Sequence, residues 1–162
     1  MSKAIVIAFF VVMAFIIEFL LFNTAGRWAT PDLSILLVVF FNLYFGIRYG
    51  LFTAVMAGVL HESFSPDIFG VYVCSFVFCA YMTTILKQYV YHMGSRLSRY
   101  ILIFIVVTIN VVAHYVFYSA RLGSVYPGHV FKFIFLPEVI TTMLVAPFLF
   151  TQLKKCVSRL FA

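Results

Sequence analysis

Charge is scarce in this chain: Asp, Glu, Lys and Arg make up 10% of its 162 residues, and only five of them are acids. Soluble domains carry about 25%. With 65% hydrophobic residues and a mean hydropathy of +1.12, so short a chain cannot hide its apolar surface inside itself. Lipid must be the solvent for most of it, which excludes a second, soluble domain and makes 1–162 a single integral membrane domain. Cysteine is nearly as rare. Cys74, Cys79 and Cys156 form no CxxC pair and read as small apolar packing. There is no GxSxG elbow, no P-loop and no dinucleotide fingerprint, and "HESFS" lacks the second His of HExxH. The acids make no regular ladder of the kind a proton pump needs, and no inverted repeat is evident. His61, Glu62 and His114 have no spacing that fixes a metal. The reading is a protein that is not an enzyme and has no cofactor and no metal.

What is present is six apolar runs, at about 4–22, 31–46, 50–64, 69–86, 100–119 and 133–153. They are continuous rather than alternating, which points to an all-α membrane protein and away from a barrel. The first run exceeds a signal-peptide core of about 7–15 residues and carries Glu18, so it reads as a retained span. Runs two and three fall short of the roughly 20 residues a crossing needs, leaving four spans plus a re-entrant hairpin as a rival to six. Turn chemistry marks the boundaries. "ATPDL" offers Thr30 as an N-cap, Pro31 at the first helical position and Asp32 in the first turn. "SPDIF" repeats the device with Ser65, Pro66 and Asp67, and Gly70 follows. "GIRYG" reads as a tight turn between runs two and three.

The net charge of +6 sits between apolar runs, where it sets topology and meets membrane lipids rather than nucleic acid. Six spans put Lys3, Arg48, Lys87, Arg96, Arg99, Lys154, Lys155 and Arg159 on one side, against Arg27, Arg121 and Lys132 on the other. The positive-inside rule then gives a six-transmembrane-helix bundle with both termini in the cytoplasm. Glu18, His61, Glu62, His114 and Glu138 all fall toward the outer end. Intramembrane ionisable groups face a bundle interior and find partners. These five, with Asn110, are expected to form one buried polar network, with Arg27, Arg121 or Lys132 as counter-ions. Gly50, Ala54, Ala57 and His61 fall within about a 60° arc of one helix, and Gly58 lies close by. Such a stripe of small residues lets another backbone approach, from the same chain or from a partner. Glu62 could accept hydrogen bonds from the amides at the start of the fourth helix, although Asp67 is nearer in sequence.

"GVLHESFSPDIFG", residues 58–70, resembles the third-span signature of the rod shape-determining MreD family: a Gly, two apolar residues, any residue, an acid, then a short turn and a second Gly. Here these are Gly58, Val59, Leu60, His61, Glu62 and Gly70. "PDLSILLVVFFNLYFG" is similar to the family's second span, opening at Pro31. One departure is Glu62, where the family usually has Asp. The resemblance implies a fold similar to the substrate-capture subunits of energy-coupling-factor (ECF) transporters. It also implies a non-enzymatic inner-membrane scaffold of the bacterial elongation complex. Its partners would be an MreC-like bitopic protein, RodA and a class B penicillin-binding protein, and indirectly MreB. The alternative is a small-molecule binder of the vitamin-capture type, with Glu18, Glu62, His114 and Glu138 gathered about a ligand. The Ala4–Ala8 spacing would then be its docking signature.

Overall fold

The computed structural model describes residues 3–26, 30–64, 70–90, 96–122 and 136–161. These residues form six α-helices: α1 (Lys3–Ala25), α2 (Leu33–Phe45), α3 (Ile47–Phe64), α4 (Val71–Val90), α5 (Arg96–Leu122) and α6 (Leu136–Phe161). Among them there is no strand. Stretches of α1 (Lys3–Thr24), α4 (Val71–Tyr89) and α5 (Leu97–Phe117) are long and apolar enough to cross a membrane.

The helix that organises the bundle is the shortest. Residues 33–43 of α2 are all buried, because α1, α3, α4, α5 and α6 all pack around it. A helix that is apolar on every side is stable only when covered on every side. At 13 residues it is about 20 Å long, well short of a hydrocarbon core of about 30 Å. Ile7 and Val11 of α1, Phe76 and Cys79 of α4, Leu102 and Val106 of α5, and Ala146 of α6 close around it.

Several boundaries differ from the sequence reading. The "GIRYG" turn is a single residue, Gly46, at φ 90°, with its amide bonded back to the Asn42 carbonyl. Only a residue without a Cβ adopts that backbone freely, so Arg48 and Tyr49 already belong to α3. At the other ends, α5 starts at Arg96 and α6 continues through Lys154 and Lys155. Lys and Arg are good helix formers whose charges can reach water while their stems cover apolar surface. The helix therefore outlasts the apolar run. The cap of α2 is Asp32, not Thr30. The Asp32 Oδ1 accepts from the Ile35 amide at 2.9 Å, the third amide of the helix and the natural target of a capping carboxylate. Pro31 consequently precedes the helix instead of opening it.

The small-residue stripe of α3 is covered by this same chain. A Cβ on Gly50 would lie 2.7 Å from the Asn42 Cβ on α2, and one on Gly58 would lie 2.6 Å from the Val73 Cα on α4. Ala54 and Ala57 are fully buried in the common core. Of the residues pointing away from the stripe, Phe52 and Val59 are exposed, while Met56 and Leu60 lean on the core.

Candidate functional site

The polar side chains gather where α1 ends and α2 begins. The first amides of any helix lack partners within it. In α2 the Ser34 amide donates to Glu18 Oε1 at 2.7 Å and the Ile35 amide to Asp32 Oδ1. Two carboxylates thus meet the positive end of a buried helix dipole, where negative charge is favoured. The opposite end of α2 receives cations. Lys87 Nζ donates to the Leu43 carbonyl at 2.9 Å, and Lys3 Nζ lies 5.3 Å from the centre of the Phe45 ring.

From this helix start the hydrogen bonds radiate to every other helix. Glu18 Oε2 accepts from the Ser34 hydroxyl at 2.9 Å and faces His61 Nε2 of α3 at 3.0 Å. Asp32 Oδ2 accepts from the Asn110 amide of α5 at 3.3 Å, and the Asn110 oxygen accepts from the Ser75 hydroxyl of α4 at 2.6 Å. The Asp32 backbone amide donates to Thr142 Oγ1 of α6 at 3.0 Å. One polar residue from each of the six helices therefore meets in a single hub. Glu18, Ser34, Ser75, Asn110 and Thr142 are all buried.

His61 is held by more than its hydrogen bonds. Its ring stacks on Tyr72 at 5.4 Å and meets Phe15 and Phe76 edge-on at 5.2 and 5.6 Å. His114 meets Tyr72 edge-on, at 4.7 Å between centroids.

Glu62 stands apart from the hub. The capping position of α4 is Gly70, at φ 104°, which has no side chain to offer the amides that follow. Glu62 supplies the missing oxygen from α3: its Oε1 accepts from the Gly70 amide at 2.8 Å and the Val73 amide at 3.1 Å. Its Oε2 is buried and has no hydrogen-bond partner among the described residues. Ser65, Pro66 and Asp67 lie outside the described residues, as do Arg27 and Lys132; of Arg121 the backbone alone is described.

The expected single network thus resolves into two sites. Glu18, His61 and Asn110 share the hub, with His114 at its edge through an aromatic ring. The α6 member is Thr142, one turn beyond Glu138. Sequence reasoning missed Ser34, Ser75 and Thr142, and treated Asp32 as a local cap only. A lone hydroxyl within an apolar helix leaves no periodic signal. Asp32 is the exception, because a first-turn acid beside a buried helix start has a second oxygen to satisfy.

Ser34, His61 and Glu18 do not have the geometry of a nucleophilic triad. There the acid holds one ring nitrogen and the hydroxyl the other, whereas here both approach the same Nε2, at 3.0 and 3.1 Å. The Ser34 proton is already donated to the carboxylate. The chemistry these groups perform is to join helices. Of the two acids a captured ligand would engage, Glu18 is bonded at both oxygens and Glu62 Oε1 accepts from two backbone amides.

A bundle whose helices are tied through one buried polar hub, and whose flanks are apolar, is a helical membrane protein built around a polar keystone. The chain belongs to the rod shape-determining protein MreD family, whose model matches residues 2–157. No curated protein and no solved structure matches it. Membership gives a role in rod shape determination, within the system that MreD forms with MreB and MreC.

Proposed function

We propose that this chain is a non-enzymatic scaffold of the cell-elongation complex. It would cross the inner membrane six times with both termini in the cytoplasm, and hold an MreC-like bitopic partner and the RodA/class B penicillin-binding protein pair. Family membership over nearly the whole chain carries the reading. In support, the stripe on α3 is filled internally, so docking must use the outer flanks. On α1 the residues Phe9, Met13, Ile16 and Leu20 form one ridge, 43–62% exposed. Spacing of three and four residues places them on a single face, suited to a transmembrane helix laid alongside. The six-crossing arrangement is favoured by the division of charge between the two ends. Acids cluster at the start of α2, whereas Lys3, Arg48, Lys87, Arg99, Lys154 and Lys155 lie at the other end of their helices.

The test is co-purification from membranes with tagged MreC-like partner. Phe9→Ala/Leu20→Ala is expected to leave the melting temperature of the detergent-solubilised protein unchanged while releasing the partner. Full retention of the partner would refute the assignment of α1 as the docking ridge. A cytoplasmic reporter fused after residue 162 that reads as external would refute the topology.

A further inference from the structure

At the end of the bundle opposite the hub, a cleft of about 560 Å³ opens between the start of α5 and the end of α6. Its size suits a small-molecule ligand or part of a lipid. Its lip is cationic: Arg99 of α5 faces Lys154 and Lys155 of α6. Its floor is apolar, made by Ile103, Ala146 and Phe150, which are 3%, 0% and 6% exposed. From Lys154 to Ala146 the floor descends about 12 Å along the helix. Ala146 and Pro147 carry little side chain, so α6 does not fill the cleft from its own side.

The cations at the lip have no acid to answer them. Arg99, Lys154 and Lys155 make no ion pair with a described acid. The four described acids, Glu18, Asp32, Glu62 and Glu138, belong to the other end of their helices. Glu138 is about 24 Å along α6 from Lys154. The Thr151 and Ser158 hydroxyls donate to backbone carbonyls of their own helix, which leaves Arg99, Lys154 and Lys155, with the Tyr100 hydroxyl beside them, as the donors for a ligand. Arg pairs with phosphate oxygens in a planar fork, and Lys meets them as a point charge.

We propose that this cleft is a binding site for an anionic glycerophospholipid. Its phosphodiester headgroup is held by Arg99, Lys154 and Lys155, and one acyl chain lies on Ile103, Ala146 and Phe150. A basic pocket between helices at a membrane surface recognises lipid headgroups in this way. The graded polarity, charge at the lip and hydrocarbon beneath, matches a lipid and not a free anion. This site is independent of the partner-docking ridge on α1.

The experiment is native mass spectrometry of the whole detergent-solubilised chain, titrated with phosphatidylglycerol or phosphatidylcholine of the same acyl length. The wild-type chain is expected to retain phosphatidylglycerol selectively. Arg99→Gln/Lys154→Gln should bind it about 25-fold more weakly, near five-fold for each cation removed. Lys3→Gln/Arg48→Gln, which removes two charges from the same end outside the cleft, should bind as wild type. Lys154 and Lys155 are exposed and Arg99 is half-buried without an ion pair, so the variants should fold, and Lys155→Gln alone gives a second reading at about five-fold. Equal retention of the two lipids would overturn the proposal, as would equal losses in the two double variants. Displacement of the lipid by inorganic phosphate or by glycerophosphoglycerol would overturn it in favour of a soluble anion.

Discussion

Two helix starts in this bundle are capped from elsewhere in the chain, and they do so on very different scales. At α2, Glu18 comes from α1 and works beside Asp32; both Glu18 oxygens are bonded, to α2 and α3, and Asp32 carries the hub on to α4, α5 and α6. At α4, Glu62 comes from α3, uses one oxygen, and joins only the two helices of a hairpin. The chemistry is shared, a carboxylate offered to orphan amides where a helix dipole is positive. The difference is what else lies within reach. α2 is central, so its start is also the meeting point of the bundle, while the α3/α4 contact is already fixed by backbone approach at Gly58. Glu18 is therefore expected to secure the assembly, and Glu62 one corner of it.

Substitutions can separate the two. Glu18→Ala leaves the Ser34 amide and His61 without their acceptor inside the bundle, and should cost about 3–5 kcal/mol, the usual loss when one partner of a buried pair is removed. Thermal unfolding in detergent would show a large drop in melting temperature; a drop no larger than that of Glu62→Ala would erase the contrast. Gly58→Leu comes next, since a Cβ there meets the Val73 Cα at 2.6 Å. It should destabilise by about 1–3 kcal/mol as an overpacked contact, and any loss of partner binding should track that loss of stability. Glu62→Ala is expected to cost about 1–3 kcal/mol for the stranded amides, while Glu62→Gln, which keeps an acceptor oxygen at the same reach, should recover most of it. Failure of Gln to rescue would mean that charge, and not hydrogen bonding, is what α4 needs. Smallest is Asn110→Ala with Ser75→Ala. The coupling energy in a double-mutant cycle should be about 0.6 kcal/mol, as for polar pairs between membrane helices.

The sequence reading and the structure part company in an orderly way. The all-helical class, the six apolar segments and the gathering of ionisable groups at one end were legible, because they depend on composition and on order along an antiparallel bundle. Gly46 turning the chain alone was not. Five residues looked like a turn because Gly46 and Gly50 bracket a charge, yet Gly50 is there to let α3 lie against Asn42. The hub was half legible. Glu18, His61 and Asn110 announce themselves by being polar within apolar runs. Ser34, Ser75 and Thr142 do not, since a hydroxyl is as small as Ala and costs a helix little, and only packing decides what it meets. Glu62 was readable as a cap for the next helix, but which amides its oxygen meets depended on geometry that no spacing encodes.

Amide hydrogen exchange across the intact bundle bears most immediately on the hub as the point where all six helices are tied. Measured by mass spectrometry in lipid nanodiscs, Glu18→Ala is expected to speed exchange together at the starts of α2, α4 and α6, around residues 33–36, 71–76 and 139–143, while Glu62→Ala speeds it at 71–76 alone. If the Glu18→Ala change stayed confined to residues 33–36, Glu18 would be an ordinary helix cap and the hub would not hold the bundle together.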